Sequence, residues 1–128
     1  MAASDILIVD DEADIRELVA GILQDEGYET RTARDSDTAL GAIGTRRPSL
    51  LFLDIWLQGS KLDGLQLLDN VKEHHPELPV VMISGHGNIE TAVRSTKLGA
   101  FDFIEKPLSL EKTVVTVKNA VRQRLAND

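Results

Sequence analysis

Short apolar runs alternate with amphipathic segments along the whole chain, and this alternation limits the possible folds more than any other feature. Four runs rich in branched residues lie at 6–9, 50–53, 80–83 and 101–104, and a weaker candidate lies at 28–32. Because the runs are nearly continuous and not alternating, they indicate strands that are buried on both faces, as in parallel sheets covered by helices.

The intervals between these runs carry apolar residues at helical spacing. The first helix follows an acidic start, ends near Gly27, and has one apolar stripe made of Ile15, Leu18, Val19, Ile22 and Leu23. Four more helices are predicted in the same way from caps, apolar residues and prolines. Their markers are Ser36 as N-cap with Ala39, Leu40 and Ile43 before Pro48; Leu65, Leu68 and Val71 before Pro76; Asn88 as cap with Ala92 and Val93 before Gly99; and Ser109 as cap with Leu110, Val114, Val117, Val121 and Leu125.

Five strand–helix units in strict alternation predict right-handed crossovers and an α/β fold. The commonest small version is the flavodoxin-like (βα)5 fold, a doubly wound parallel five-stranded sheet with strand order 2-1-3-4-5. A chain of 128 residues has the length of about one ordinary domain, so a single domain over 1–128 is expected.

The composition and charge of the chain limit its possible partners, metal sites and location. The formal net charge is −7 and no basic stripe interrupts it, so direct binding of nucleic acid by this segment is not expected. The absence of cysteine excludes disulfides and thiolate metal sites. No apolar stretch approaches the ~20 residues of a membrane span. No secretory signal pattern begins the sequence, and a cytoplasmic location is the expectation.

Polar residues with matching chemistry follow four of the predicted strands. Asp10 and Asp11 follow the first, Asp54 the third, Ser84 the fourth and Lys106 the fifth. Since ligands bind at the carboxyl edge of such a sheet, beside the switch point between strands 1 and 3, we expect these side chains to converge there.

Crowded carboxylates raise one another's pKa unless a cation neutralises them, and oxygen ligands of this kind suit Mg²⁺. Asp11 and Asp54 are the expected direct ligands, with Asp10 acting mainly through water. Asp54 is the best nucleophile for phosphorus because it is central, and Lys106 and Ser84 would contact the oxygens of the transferred phosphoryl group.

At this point the chain resembles a known family, the receiver domains of bacterial two-component response regulators, over essentially its whole length. The resemblance is carried in order by IVDDE at 8–12, LDI at 53–55, DGL at 63–65, SGHG at 84–87, GAFDF at 99–103 and KP at 106–107. It implies Asp54 as phosphoacceptor, a sensor histidine kinase as partner and effector domains in a longer regulator. It also implies the Trp56 carbonyl as a metal ligand, Ser84 and Phe103 as switch residues, and a cis Lys106–Pro107 bond.

One segment departs from the family pattern. Residues 56–62 have no proline and look about two residues longer than the usual loop before Asp63 and Gly64. Together with residues 84–90, this loop is similar to that of the NtrX-type nitrogen regulators.

Two further expectations concern regulation. Trp56 and His86 each lie two positions beyond a residue at the site, where receivers admit or exclude the hydrolytic water, and we expect bulky Trp56 to slow phosphoryl loss. Val115 lies off the main stripe of the fifth helix. The family implies a homodimer through helix 4, strand 5 and helix 5.

Two alternatives of other classes fit less well. A small magnesium-dependent aspartyl-phosphate phosphatase of the dehalogenase type needs Asp-x-Asp after the first strand, where this chain has Asp10, Asp11 and Glu12. A nucleotide or flavin module would need a glycine fingerprint after the first strand, and GHGNIE at 85–90 lacks the third glycine and follows the fourth.

Overall fold

The computed structural model describes residues 4–85 and 89–127, with side chains described as far as residue 123. Strands and helices alternate five times. In chain order they are β1 (Asp5–Val9), α1 (Ala13–Asp25), β2 (Glu29–Ala33), α2 (Ser36–Thr45), β3 (Leu50–Asp54), α3 (Gly64–His74), β4 (Val80–Ser84), α4 (Ile89–Lys97), β5 (Asp102–Glu105) and α5 (Leu110–Asn127).

The strands form one parallel sheet in the order β2-β1-β3-β4-β5. This confirms the predicted flavodoxin-like topology. The register places Val9 opposite Leu53 and Asp54 opposite Ile83, so the carboxyl ends of β1, β3 and β4 lie side by side. None of the described helices is both long and apolar enough to cross a membrane.

The two faces of the sheet bury different apolar clusters, because successive side chains of a strand point to opposite faces. Leu7 of β1 and Leu53 of β3 belong to the cluster that includes residues of α2 and α3. Ile8 and Phe52, their neighbours along the same strands, belong to the cluster that includes residues of α1 and α5. Full burial of β1, β3 and β4 explains why their sequences are continuously apolar.

Some local predictions were wrong. The N-cap of α2 is Asp35, whose side chain accepts a hydrogen bond from the Thr38 amide at 2.8 Å, and Ser36 is instead a buried helical residue. Leu18 and Leu110 are 48% and 63% exposed, although both were placed on buried stripes. In each helix the buried stripe is narrower than the spacing of apolar residues in the sequence suggests.

Other boundaries differ by about one residue. β5 begins at Asp102, and Phe101 is exposed before it. Ser109 caps α5 as predicted, since its hydroxyl accepts a hydrogen bond from the Lys112 amide at 3.2 Å. The predicted cap of α4, Asn88, lies outside the described residues.

Candidate functional site

Asp54 ends the central strand β3 and is 2% exposed. One carboxylate oxygen, Oδ1, accepts a long hydrogen bond of 3.4 Å from the backbone amide of Trp56. The other, Oδ2, lies 3.6 Å from the ammonium of Lys106. A buried carboxylate with so few donors is poorly stabilised as an anion, because burial removes water without replacing its hydrogen bonds.

Asp10 lies at the end of the neighbouring strand and is fully buried. Its Oδ1 accepts a hydrogen bond of 2.8 Å from the Glu12 amide, which holds the carboxylate at the start of α1. Its Oδ2 forms an ion pair with Lys106 Nζ at 3.2 Å, and among the described residues no donor reaches it in hydrogen-bond geometry. A buried carboxylate oxygen of this kind is a suitable ligand atom for a cation.

Lys106 reaches both carboxylates from the end of β5. Its backbone amide donates to the carbonyl of Ser84 at 2.8 Å, which fixes the start of the side chain beside β4. Its Nζ also lies 3.7 Å from Glu12 Oε1. One ammonium therefore serves three carboxylates, and the site holds more negative than positive charge.

Burial and this charge imbalance together shift the pKa values of Asp54, Asp10 and Lys106. Burial, with a further contribution from the Asp10 charge, raises the pKa of Asp54 to about 7, although Lys106 opposes the change. Burial likewise raises the pKa of Asp10. Burial alone would lower the pKa of Lys106, but the carboxylates of Asp54 and Asp10 outweigh it and raise that pKa.

A cavity of about 90 Å³ opens in front of these groups. Its lining residues are Asp11, Glu12, Asp54, Trp56, Gln58, Gly85 and Lys106. Carboxylate oxygens of Asp10, Asp11 and Glu12 lie within 4.8 Å of one another. The carboxylates of the described residues around the cavity offer hard oxygen atoms, and Asp10 Oδ2 has an ion pair with Lys106 but no hydrogen bond, so this set of ligand atoms fits a small divalent cation such as Mg²⁺.

The backbone that carries Asp54 is packed tightly against the start of α3. The Gly64 amide donates to the Ile55 carbonyl at 2.8 Å. A Cβ at Gly64 would lie only 2.1 Å from the carbonyl oxygen of Asp54, so no larger residue fits there without moving the strand end. A capping box between Asp63 and Gln66 fixes the first turn of α3.

The structure brings together most of the residues predicted from the sequence. Asp10, Asp54 and Lys106 are in ionic contact, and Asp11 and Trp56 line the cavity. Ser84 is buried at the end of β4, next to the cavity residue Gly85, and does not itself line the cavity. The remaining two residues differ: Phe103 is half-buried on β5 and packs against the cluster shared with α2 and α3, and His86 lies outside the described residues.

Three contributors were missed by the sequence reasoning. Gln58 lines the cavity, Glu12 is an ionic neighbour of Lys106, and Gly64 supports the backbone of Asp54. Glu12 and Gly64 had a visible signal, since they belong to the IVDDE and DGL segments that carried the family resemblance. Gln58 lies in the loop where the chain departs from the family pattern, so no motif pointed to it.

The model of the family described as "Response regulator receiver domain" matches residues 6–118. The chain belongs to this family. The matched segment contains every residue of the site described above, from Asp10 to Lys106.

Comparison with individual relatives points to one branch of the family. The chain is 68% identical, over 93% of its length, to the nitrogen assimilation regulatory protein NtrX of Azorhizobium caulinodans and spans 26% of that protein. The crystal structure of the receiver domain of NtrX from Brucella abortus is 66% identical, with a TM-score of 0.90 over 92% of this chain and 98% of that one. The predicted resemblance to NtrX-type regulators is thereby confirmed.

A more distant structure is that of the beryllofluoride-activated NtrC4 receiver domain dimer. It is 37% identical, with a TM-score of 0.87 over 94% of this chain and 98% of that one. This chain spans only about a quarter of the length of the curated relatives it matches.

Proposed function

We propose that this receiver domain is a phosphorylation-dependent switch in which Asp54 accepts a phosphoryl group from a sensor histidine kinase. The observation that carries the proposal is the position of Asp54, buried at the centre of the carboxyl edge, with Lys106 Nζ 3.6 Å from one oxygen and the cavity in front. Family membership favours this function over the aspartyl-phosphate phosphatase considered as an alternative.

Asp10, Asp11 and Asp54, with the carbonyl of Trp56, are the residues that would hold Mg²⁺. When bound, the ion neutralises charge on the carboxylates and on the phosphoryl oxygens. The Oδ2 of Asp10, which has an ion pair but no hydrogen bond among the described residues, and the raised pKa of Asp54 both support a cation at this position.

The chain's own groups then perform the transfer. An oxygen of the Asp54 carboxylate attacks phosphorus, the bond from phosphorus to the donor nitrogen of the kinase histidine breaks, and that nitrogen keeps the electron pair. Lys106 and the Ser84 hydroxyl contact the oxygens of the transferred group and offset their charge. The tight packing of Gly64 on the Asp54 backbone keeps the attacking carboxylate in place.

Phosphorylation adds charge at this edge, and we propose that Ser84 and Phe103 convert it into a shifted equilibrium of the α4-β5-α5 face. That face already exposes apolar side chains, with Val93 46% and Val115 53% exposed. A second copy of the domain would dock there, and an effector domain of a longer, cytoplasmic transcription regulator would respond. A sedimentation series in which the chain stays monomeric at all concentrations, with and without beryllofluoride, would reject the dimer.

Trp56 and His86 are proposed to tune the lifetime of the phosphoryl group. The Trp56 indole is half-exposed and lines the cavity, so it can limit the access of water to Asp54. We expect Trp56→Ala to lose the phosphoryl group faster than the parent. Equal or slower loss would contradict a shielding role.

The test of the main proposal is incubation of the chain with acetyl phosphate, with and without Mg²⁺, followed by intact mass measurement. We expect a single base-labile adduct with the mass of one phosphoryl group, formed only with Mg²⁺ and absent in Asp54→Ala. Asp102→Ala, a change of an exposed aspartate away from the cavity, should leave it unchanged. No adduct on the parent, or an undiminished one in Asp54→Ala, would overturn the proposal.

A further inference from the structure

Gln58 lies on the turn of the long loop that precedes α3. The Ser60 amide donates to the Leu57 carbonyl at 3.3 Å, and Gly59 has φ of +74°, so Gln58 and Gly59 are the central residues of a tight turn. A glycine at that second position accepts the left-handed conformation at little cost.

Both flanks of this turn are anchored. On one side, Leu57 is 6% exposed and belongs to the apolar cluster shared with α2 and α3. On the other, Ser60 Oγ accepts from the Ser36 amide at 2.8 Å and donates to Ser36 Oγ at 3.0 Å. Ser36 Oγ also accepts from the Leu62 amide at 3.1 Å.

The burial of Ser36, which was unexpected for a presumed N-cap, is explained by these contacts. Its hydroxyl holds the loop against the start of α2. Gln58 is consequently an exposed polar residue on a fixed turn, and it lines the cavity in front of Asp54. A residue whose backbone is fixed before a ligand arrives loses less entropy on engaging it.

The side chain of Gln58 also differs chemically from those of the other residues that line the cavity. The carboxylates of Asp11, Glu12 and Asp54 only accept hydrogen bonds, Lys106 only donates, and the Trp56 indole only donates. A carboxamide is neutral and does both. It can therefore accept a hydrogen from a water molecule while donating to a phosphoryl oxygen, a combination that orients a water toward phosphorus.

From this geometry we propose that Gln58 orients the water that hydrolyses the acyl phosphate on Asp54, and that Ser60 is a positioning residue acting through it. The water oxygen attacks phosphorus, the bond from phosphorus to the Asp54 oxygen breaks, and its electron pair returns to the carboxylate. The water proton passes to the released phosphate or to solvent. This proposal rests on the proposed function of Asp54.

The experiment follows loss of the adduct by intact mass, in Mg²⁺, after acetyl phosphate is removed. We expect Gln58→Ala to hydrolyse about fivefold more slowly than the parent or slower still. The matched control is Lys61→Ala, which removes an exposed side chain from the same loop outside the cavity lining and should leave the rate unchanged. An unchanged or faster rate in Gln58→Ala would overturn the proposal.

Two further measurements separate orientation of water from damage to the site. In Gln58→Ala the thermal midpoint should match the parent, and beryllofluoride affinity, followed by Trp56 fluorescence, should fall by a smaller factor than the hydrolysis rate. A loss of affinity equal to the loss of rate would show a structural effect and contradict the proposal. If the parent itself forms no adduct, the proposed function fails, which is a distinct result from a formed adduct with an unaltered lifetime.

The role of Ser60 is tested by combining substitutions. We expect Ser60→Ala to slow hydrolysis in the parent and to have no further effect in Gln58→Ala, because its influence passes through that side chain. Equal slowing in both backgrounds would show that Ser60 acts independently of Gln58 and would overturn its assignment.

Discussion

Strand β1 has an aspartate at its start and another just beyond its end, and the two have opposite electrostatic surroundings. Asp5, at the amino edge of the sheet, accepts hydrogen bonds from Arg31: Nη2 donates to Oδ2 at 2.6 Å, and Nε donates to Oδ2 at 3.0 Å and to Oδ1 at 3.2 Å. Arg46 Nε also donates to Oδ2, at 3.3 Å. Arg31 also donates to the carbonyls of Ala42 and Arg46, so this guanidinium joins β1 to the end of α2.

Asp10, at the carboxyl edge, has no such surplus of donors. Among the described residues it shares the ammonium of Lys106 with Asp54 and Glu12, and its Oδ2 has that ion pair but no hydrogen bond. At the amino edge, two guanidinium groups neutralise the Asp5 carboxylate, so its charge needs no further cation. The carboxyl edge is short of positive charge, so its stability depends on a cation or a proton supplied from outside.

The largest effect on stability is expected from removing the arginine that pairs with Asp5 at the amino edge of the sheet. Arg31→Met should lower the free energy of unfolding by about 3 kcal/mol, because it leaves the buried Asp5 carboxylate without the guanidinium that contacts both of its oxygens. Chemical denaturation measures the change. Arg46→Met is the matched control and should cost less than about 1 kcal/mol, since the Arg46 side chain is 60% exposed. Equal losses in the two variants would contradict the ranking.

A change of opposite sign is expected at the carboxyl edge. Without divalent cations at pH 8, Asp54→Asn should raise the free energy of unfolding by about 2 kcal/mol, because it removes a buried carboxylate whose pKa is about 7. Asp5→Asn, the same change at the other edge, should lower it. A loss of stability in Asp54→Asn would show that the carboxylate stabilises the empty site.

The pH dependence of the free energy of unfolding follows from the direction in which the Asp54 pKa is shifted. A carboxyl whose pKa is raised on folding binds its proton more tightly in the folded state. Its contribution therefore makes the free energy of unfolding fall as pH rises from the ordinary value, 3.8, to about 7. The difference between parent and Asp54→Asn, measured by denaturation at several pH values, should grow over this range. A difference that stays constant would refute the raised pKa.

The smallest effect is stabilisation by the cation. At a Mg²⁺ concentration about ten times the dissociation constant, binding to the folded state alone should raise the free energy of unfolding by about 1.4 kcal/mol. Asp11→Asn should lose most of this gain, whereas Asp5→Asn should keep it. A shift in thermal midpoint with added Mg²⁺ measures both, and an equal response in the two variants would contradict a cation site at the carboxyl edge.

The sequence predicted the fold and most of the site because both depend on local signals. Continuous apolar runs indicate buried parallel strands, and topology alone then brings Asp10, Asp54 and Lys106 to one edge. What could not be predicted depends on contacts between residues far apart in the chain. Asp5 and Arg31 are 26 positions apart, and so are Ser36 and the Leu62 amide.

The sequence also predicted poorly which residues of a helix are buried. Leu18 and Leu110 are apolar residues at plausible positions, and both are exposed because the sheet covers only part of each helix surface. Ser36 shows the reverse error, since a residue typical of an N-cap is fully buried by the loop that packs on it.

The central claim is that the incomplete charge balance of the carboxyl edge marks Asp54 as the phosphoacceptor. The most direct measurement is reduction of the phosphorylated chain with borohydride, which converts an acyl phosphate of aspartate into homoserine, followed by peptide mapping. We predict homoserine at position 54 alone, with Asp5, Asp10 and Asp11 unmodified. Homoserine at any of those three positions, or an unmodified residue 54 in a chain that carries the adduct, would contradict the account.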